Sequence, residues 1–254
     1  MSPPEPAAVY SIDAGGSRTV VALWKAGAAA GTSVHESFAI ASTGLSAARQ
    51  SLARILDELR SQLPDHPVAL GCIASSSMPV AGEAPLPQSL LDVIATHAPR
   101  GRVVAVNDVV PLLWSSPLNG AGIVVCSGTG SSVLGRDAAG RQRKVGGHEH
   151  IISDAGSAYS IGRRGLRAAA RDADLTGAST KLRPTAESFF ERPIPAVGRW
   201  LAELPRARST VASFAPAVIR LAEDGDPVAQ AIVEGEAAAL ADAVAVAAAA
   251  LSLG

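Results

Sequence analysis

Short apolar runs alternate with helical repeats along this chain, and the first of them sets the scheme. Residues 9–12 and 20–23 are largely apolar and β-branched, and the small polar segment Asp13-Ala14-Gly15-Gly16-Ser17-Arg18-Thr19 separates them. That pattern predicts strand, tight turn, strand. Residues 33–41 alternate as a third strand, and Thr43-Gly44-Leu45 turns the chain. Leu52, Ile55, Leu56, Leu59 and Leu63 recur at helical spacing within 46–63, and Pro64 ends that helix. Residues 68–74 form a continuous apolar run, as a strand buried on both faces requires. Ser75-Ser76-Ser77 and a proline-rich loop through Pro87 follow. A helix over 89–97 is stopped by Pro99, and a second buried strand over 103–106 ends at Asn107-Asp108. Residues 109–114 can begin a further helix. The order implies a mixed sheet with helices packed against it.

The second half opens with the same device. Gly122-Ile123-Val124-Val125-Cys126-Ser127-Gly128-Thr129-Gly130-Ser131-Ser132-Val133-Leu134-Gly135 again reads strand, glycine turn, strand, and a further hairpin turn lies at Asp137-Ala138-Ala139-Gly140. Helices then dominate, over 157–173, 184–190, 194–203, 211–223 and 227–253, the last starting at Asp226-Pro227 with Asp as cap. Two glycine hairpins about a hundred residues apart, each heading an α/β unit, imply a duplication with a ligand between the halves. The corresponding domains are 1–116 and 117–254.

Composition narrows the classes. The 254 residues are 48% hydrophobic but only 4% aromatic, so the core is built from Ala, Val, Leu and Ile. With 22 basic and 23 acidic residues the net charge is −1, and no global field recommends nucleic acid or an anionic membrane as partner. Cys72 and Cys126 each sit inside an apolar run, with no zinc-binding spacing. The start, 1–6, lacks the basic and apolar regions of a signal peptide and reads as a frayed tail. The alanine-rich stretch 237–253 carries Asp242 and reads as a packed helix, so the default setting is soluble and cytoplasmic.

Three polar clusters carry candidate chemistry. At the first turn, Gly15 and Gly16 can take positive φ and let backbone N–H groups approach a bulky anion, Ser17 and Thr19 add hydroxyls, and Asp13 can hold a hydrated Mg²⁺. An ordinary hairpin is the competing reading. Gly128, Thr129, Gly130 and Ser131 offer a second nest of N–H groups, and two such loops could clamp the β- and γ-phosphates of ATP. Asp108, past the end of a strand, can take a proton from a hydroxyl that attacks phosphorus, or simply cap the next helix. In the third cluster, Gly146-Gly147-His148-Glu149-His150, the two imidazoles and Glu149 invite a metal reading, but no third ligand is identifiable. A polar wall is the better reading, with Asp154 accepting hydrogen bonds from a polyhydroxy substrate or capping the 157–173 helix. Arg163, Arg164, Arg167 and Arg171 read as the solvated face of that helix.

Together these motifs resemble the BadF/BadG/BcrA/BcrD-type ATPase family and, within it, the N-acetylglucosamine kinase-like sugar kinases. The resemblance rests on Asp13-Ala14-Gly15-Gly16-Ser17-Arg18-Thr19, Asn107-Asp108, Cys126-Ser127-Gly128-Thr129-Gly130-Ser131, Gly146-Gly147, and Ser153-Asp154-Ala155-Gly156-Ser157 running on to Gly162. It implies an actin-like α/β fold of two ribonuclease-H-like domains with an interdomain cleft. It further implies Asp13 on Mg²⁺, the two hairpins on phosphate, Asp108 as base, and Asn107, Asp108, Gly146, Gly147, His148 and Asp154 near the sugar. A small sugar is the implied partner, and a homodimer the implied assembly. The chain departs from the pattern at Ala155, where a Glu is usual, at His148, where a Trp is usual, at Ser132, and in the Thr43-Gly44-Leu45 region. The family also continues past the 227–253 helix into a strand, an adenosine loop and a final helix, so the second domain is expected to be incomplete. Two other readings stay open: a reductase-activating ATPase, for which the cysteines are poorly placed, and a non-catalytic sugar-binding protein.

Overall fold

The computed structural model describes residues 7–64, 66–80, 85–148, 150–205 and 207–253. The expected tail at 1–6, part of the proline-rich loop and Glu149 lie outside them. The chain separates into two compact units, Met1–Asn119 and Gly120–Gly254.

The first unit contains β1 (Ala8–Ala14), β2 (Arg18–Lys25), β3 (Ala28–Glu36), α1 (Ile40–Thr43), α2 (Leu45–Gln62), β4 (Val68–Ser75), α3 (Gln88–His97) and β5 (Gly101–Val106). One five-stranded sheet has the order β3-β2-β1-β4-β5. β1, β2 and β3 are antiparallel neighbours, whereas β1, β4 and β5 run parallel. Tyr10, Ile12 and Ala14 alternate inward from β1 and join Ile73 from β4 against Leu52, Ile55, Leu56 and Leu59 of α2 and Leu90 and Val93 of α3. Gly71 is a glycine for a packing reason, because a Cβ there would overlap the Tyr10 ring.

The third strand spans 28–36, not 33–41. Ala26 (φ 53°) and Gly27 (φ 77°) form a two-residue turn with both residues left-handed, and Lys25 pairs directly with Ala28, so β3 begins at once. Residues 68–74 and 103–106 are not buried on both faces. α2 and α3 cover one face of the sheet, and on the other Val9, Trp24, Leu70 and Val104 remain 37%, 38%, 37% and 39% exposed. After β5 the chain makes only a 3₁₀ turn, Pro111–Trp114.

The second unit has an antiparallel sheet, β6 (Gly122–Ser127), β7 (Ser131–Arg136) and β8 (Gln142–Gly146), in that order. Among the described residues six helices follow: α4 (Ala158–Ala173), α5 (Leu182–Phe190), α6 (Ile194–Glu203), α7 (Ala207–Ala212), α8 (Ala215–Glu223) and α9 (Pro227–Leu251). The helix expected over 211–223 is therefore two. Pro216 has no N–H for a continuous helix, and it sits in the first turn of α8, where none is needed. Leu182, Phe190, Val197, Phe214, Val218 and Ile232 form the core of the helical layer. The far end of α9 lies on the sheet, where Gly135 leaves room for Leu251. No helix among the described residues is long and apolar enough to cross a membrane.

Asp226 caps α9 as the sequence predicts, and it does more. Its Oδ1 accepts from Val228 N (3.0 Å) and Ala229 N (2.9 Å), while Oδ2 accepts from Thr180 Oγ1 (2.8 Å) and Lys181 N (2.8 Å). Burial opposes its ionisation, but the bonds from Ala229, Lys181, Thr180 and Val228 outweigh burial and hold the carboxyl below its usual range. Asp226→Ala should cost the second unit about 2 kcal/mol, the upper end for a lost cap. A depressed folded-state pKa stabilises above the unfolded value. The advantage of the wild type over Asp226→Asn should therefore be complete above about pH 4 and shrink as the pH falls further. Urea unfolding at a series of pH values measures both.

Candidate active site

In the first unit the carboxy ends of the parallel strands lie level. Asp13, next to last in β1, pairs with Ala74 of β4, and Ala74 pairs with Val106, the last residue of β5. Asp108 follows two residues later, and its N–H donates to Ser75 O (3.2 Å), one step past the ladder. The sheet thus brings Asp13 and Asp108 to one edge with β4 between them, two strand spacings or about 10 Å apart in backbone terms. Asp13 is exposed at the strand end, yet partial desolvation holds its carboxyl above the ordinary range. Asn107 is only 2% exposed; its Nδ2 donates to Met78 O (2.6 Å), and its Oδ1 accepts from Val109 N (3.4 Å). The Asn107 side chain is thus committed to backbone partners.

At the β1–β2 tip, Gly15 N donates to Arg18 O (3.0 Å), and Ser37 Oγ donates to Gly15 O (2.6 Å) while accepting from Ala39 N (3.0 Å). The positive φ anticipated for Gly15 is not adopted, and a Cβ there would meet only Arg18 O at 3.7 Å. Gly16 and the exposed Ser17 complete the tip. Thr19 is a correction. It points into the core, fully buried, and its hydroxyl has no hydrogen-bond partner, so it is not presented at the tip.

The second unit builds its loop against a helix start. Ala158 N and Tyr159 N, the first amides of α4, donate to Gly128 O (2.8 Å) and Thr129 O (3.3 Å). A planar trans peptide sets C=O and the next N–H in opposite directions. The N–H groups of Thr129 and Gly130 therefore point away from α4, as an anion site needs. Ser127 Oγ donates to Gly156 O (2.7 Å) and Ser131 Oγ to Ala155 O (2.6 Å). The Ser131 hydroxyl thus braces the 154–157 turn and gives its proton there, not to a phosphate. Ser157, not Asp154, caps α4, accepting from Ser160 N (3.1 Å).

Asp154 adopts φ +68° and is buried. A non-glycine residue in the left-handed region marks a conformation fixed by its surroundings. The partner is Arg208 of α7, which the sequence did not single out: its Nη2 donates to Asp154 Oδ2 at 2.7 Å. Gly130 makes room for this pair, since a Cβ there would lie 2.5 Å from Arg208 Nη2 and 2.8 Å from Asp154 Oδ2. Gly146 (φ 75°) and Gly147 (φ 69°) turn the chain out of β8, and a Cβ on Gly147 would press Ser132 and Lys144. His148 is exposed beyond the strand end, and His150 meets the Tyr159 ring edge-on at 5.0 Å. The two imidazoles are not on a strand, as the metal reading required. Among the described residues no group of three or more His, Cys, Asp or Glu could hold a metal. Arg164 is also not simply solvated, since it pairs with Glu236 (3.1 Å).

Removing Arg208 leaves a buried carboxylate without its cation. Arg208→Gln should cost roughly 3 kcal/mol, the low end for breaking a buried pair because Arg208 keeps some exposure. The double variant Asp154→Asn/Arg208→Gln should recover part of that loss in thermal unfolding.

A family model, the BadF/BadG/BcrA/BcrD ATPase family, matches residues 11–253. The N-acetylmuramic acid/N-acetylglucosamine kinase of Clostridium acetobutylicum is 37% identical over 100 residues, which are 39% of this chain and 33% of that protein. The match thus spans a third of the relative's length. A Chromobacterium violaceum structure provisionally assigned as an N-acetylglucosamine kinase has a TM-score of 0.74 at 22% identity, covering 97% of this chain and 84% of its own. A Porphyromonas gingivalis structure with the same provisional assignment has a TM-score of 0.68 at 16% identity, covering 90% and 77%. Both share the mixed α/β fold described above, and the match over nearly its whole length places this chain in the BadF/BadG/BcrA/BcrD ATPase family.

Proposed function

We propose that this protein is an ATP-dependent sugar kinase that transfers the γ-phosphate to a hydroxyl of a hexose or amino sugar of the N-acetylglucosamine type. The observation that carries the reading is the shared carboxy edge of the first sheet, with Asp13 and Asp108 on either side of β4. Family membership and the kinase named among the relatives support it.

Asp108 is the base. It accepts the proton of the sugar hydroxyl as that oxygen forms its bond to the γ-phosphorus, the bond to the bridging oxygen breaks, and ADP leaves. Asp13 fits a Mg²⁺ of the kind carried on a triphosphate, which uses one or two protein carboxylates and takes its remaining ligands from phosphate and water. The desolvation that raises its pKa is offset when a cation pairs with the carboxylate. When bound, that ion supplies charge neutralisation to the phosphates. Within the first unit Gly16 and Ser17 are the phosphate donors, the Gly15 N–H being spent on Arg18 O; within the second unit the outward N–H groups of Thr129 and Gly130 are, the Gly128 N–H being spent on Gly130 O. Gly146, Gly147, His148 and Asp154 border the sugar, with Asp154 presented together with Arg208.

The test is incubation with ATP and a panel of neutral hexoses, glucosamine, N-acetylglucosamine and N-acetylmuramic acid, with ADP and sugar phosphate measured directly. Asp108→Asn should lower kcat by roughly 10²–10⁴ in protein that remains folded. A variant as fast as the wild type would overturn the assignment.

A further inference from the structure

Glu236 has no place in the roles above, yet it lies at the centre of the second unit's polar network. It sits mid-way along α9, 4% exposed, in a stretch otherwise rich in alanine. Its Oε2 accepts from Gly156 N (2.5 Å), and its Oε1 accepts from Ser160 Oγ (2.7 Å) and Arg164 Nη1 (3.1 Å). An ionised carboxylate offers only acceptors, and three donors converge on this one. Gly156 has φ +78°, and a Cβ there would press Leu240 (2.9 Å) and the Glu236 carbonyl (3.2 Å), so α9 and the turn pack flush.

From that turn the bonds continue to the loop. Gly156 O and Ala155 O accept from Ser127 and Ser131, which flank the glycine loop, and the adjoining α4 amides bind Gly128 O and Thr129 O. Asp154, with its left-handed backbone, begins the same turn two residues before Gly156.

We propose that Glu236 is a positioning residue for phosphoryl transfer, setting the turn that holds both the Gly128-Thr129-Gly130 loop and Asp154. The proposal rests on the reading above that this loop binds phosphate. A plain cross-link between α4 and α9 does not account for the geometry. An apolar pair would link two helices at least as well, and it would not need a carboxylate aimed at the N–H of a left-handed glycine. Glu236 acts through the turn and touches neither nucleotide nor sugar.

The experiment compares Glu236→Gln with Ile232→Val, a core change one helical turn earlier on α9 that removes a methyl group and no hydrogen bond. The Gln amide keeps the volume and one acceptor but sets an NH₂ group against a second donor, so one of the three bonds is lost. In Glu236→Gln the KM for ATP should rise roughly tenfold, the worth of one hydrogen bond to a charged group. Amide exchange at 128–131 and 156 should speed up as well. Ile232→Val should lower Tm without moving KM or the exchange of the loop. Ser160→Ala, which keeps the carboxylate and removes one donor, is the milder second variant and should shift the same two readouts by less. A folded Glu236→Gln with lower Tm but wild-type KM and wild-type loop exchange overturns the proposal, as does an unmoved Ser160→Ala if the Gln variant does not fold. If the wild type transfers no phosphate to any sugar, the kinase reading fails by itself. Loop exchange then still decides whether Glu236 positions the loop.

Discussion

An α-helix begins with backbone N–H groups that no residue of the helix can satisfy, and the second unit is organised around where those of α4 go. Gly128 O and Thr129 O take two of them, and the Ser157 hydroxyl takes that of Ser160. Meeting this requirement fixes the orientation of the glycine loop, because each carbonyl turned toward α4 turns the following N–H outward. The hydroxyls on either side, Ser127 and Ser131, close the arrangement from the opposite direction. One local demand of helix physics thus orients the glycine loop.

The first unit meets a different constraint with similar economy. Parallel strands end level when their ladders are in register, so residues at corresponding ends share an edge without any direct contact. Asp13 reaches that edge as part of β1, and Asp108 reaches it through a single amide bonded to β4. Asn107 fastens the same junction from inside, on the backbone of the segment after β4.

Much of this was legible in the chain. Both glycine hairpins, the helix at 45–62 and the helices of the second half carry local signals of periodicity, breaker and cap, and they form near the expected places. The start of β3 was not legible, because Ala28, Ala29 and Ala30 have no alternation and the Ala26-Gly27 turn lacks the usual Asn or Asp. The split at Phe214 was signalled only by Pro216. The site divided in the same way. Motif residues could be placed from spacing, but Arg208 and Glu236 act across 54 and 80 residues of sequence, and their types alone do not say what they meet. Thr19 shows the converse: a hydroxyl beside a glycine turn suggests a donor, but the period-2 alternation of β2 sends it to the core.

In the role proposed above, the hydrogen bond from the Asp108 N–H to Ser75 O bears on speed as well as on position. A carboxylate on a free loop must be immobilised each time it acts, and that entropy is charged to the reaction. Here the peptide carrying the carboxylate is pinned to a central strand whose neighbours lie on both sides. That restriction of the backbone is made once, when the sheet assembles, so in the role proposed above it would not recur at turnover.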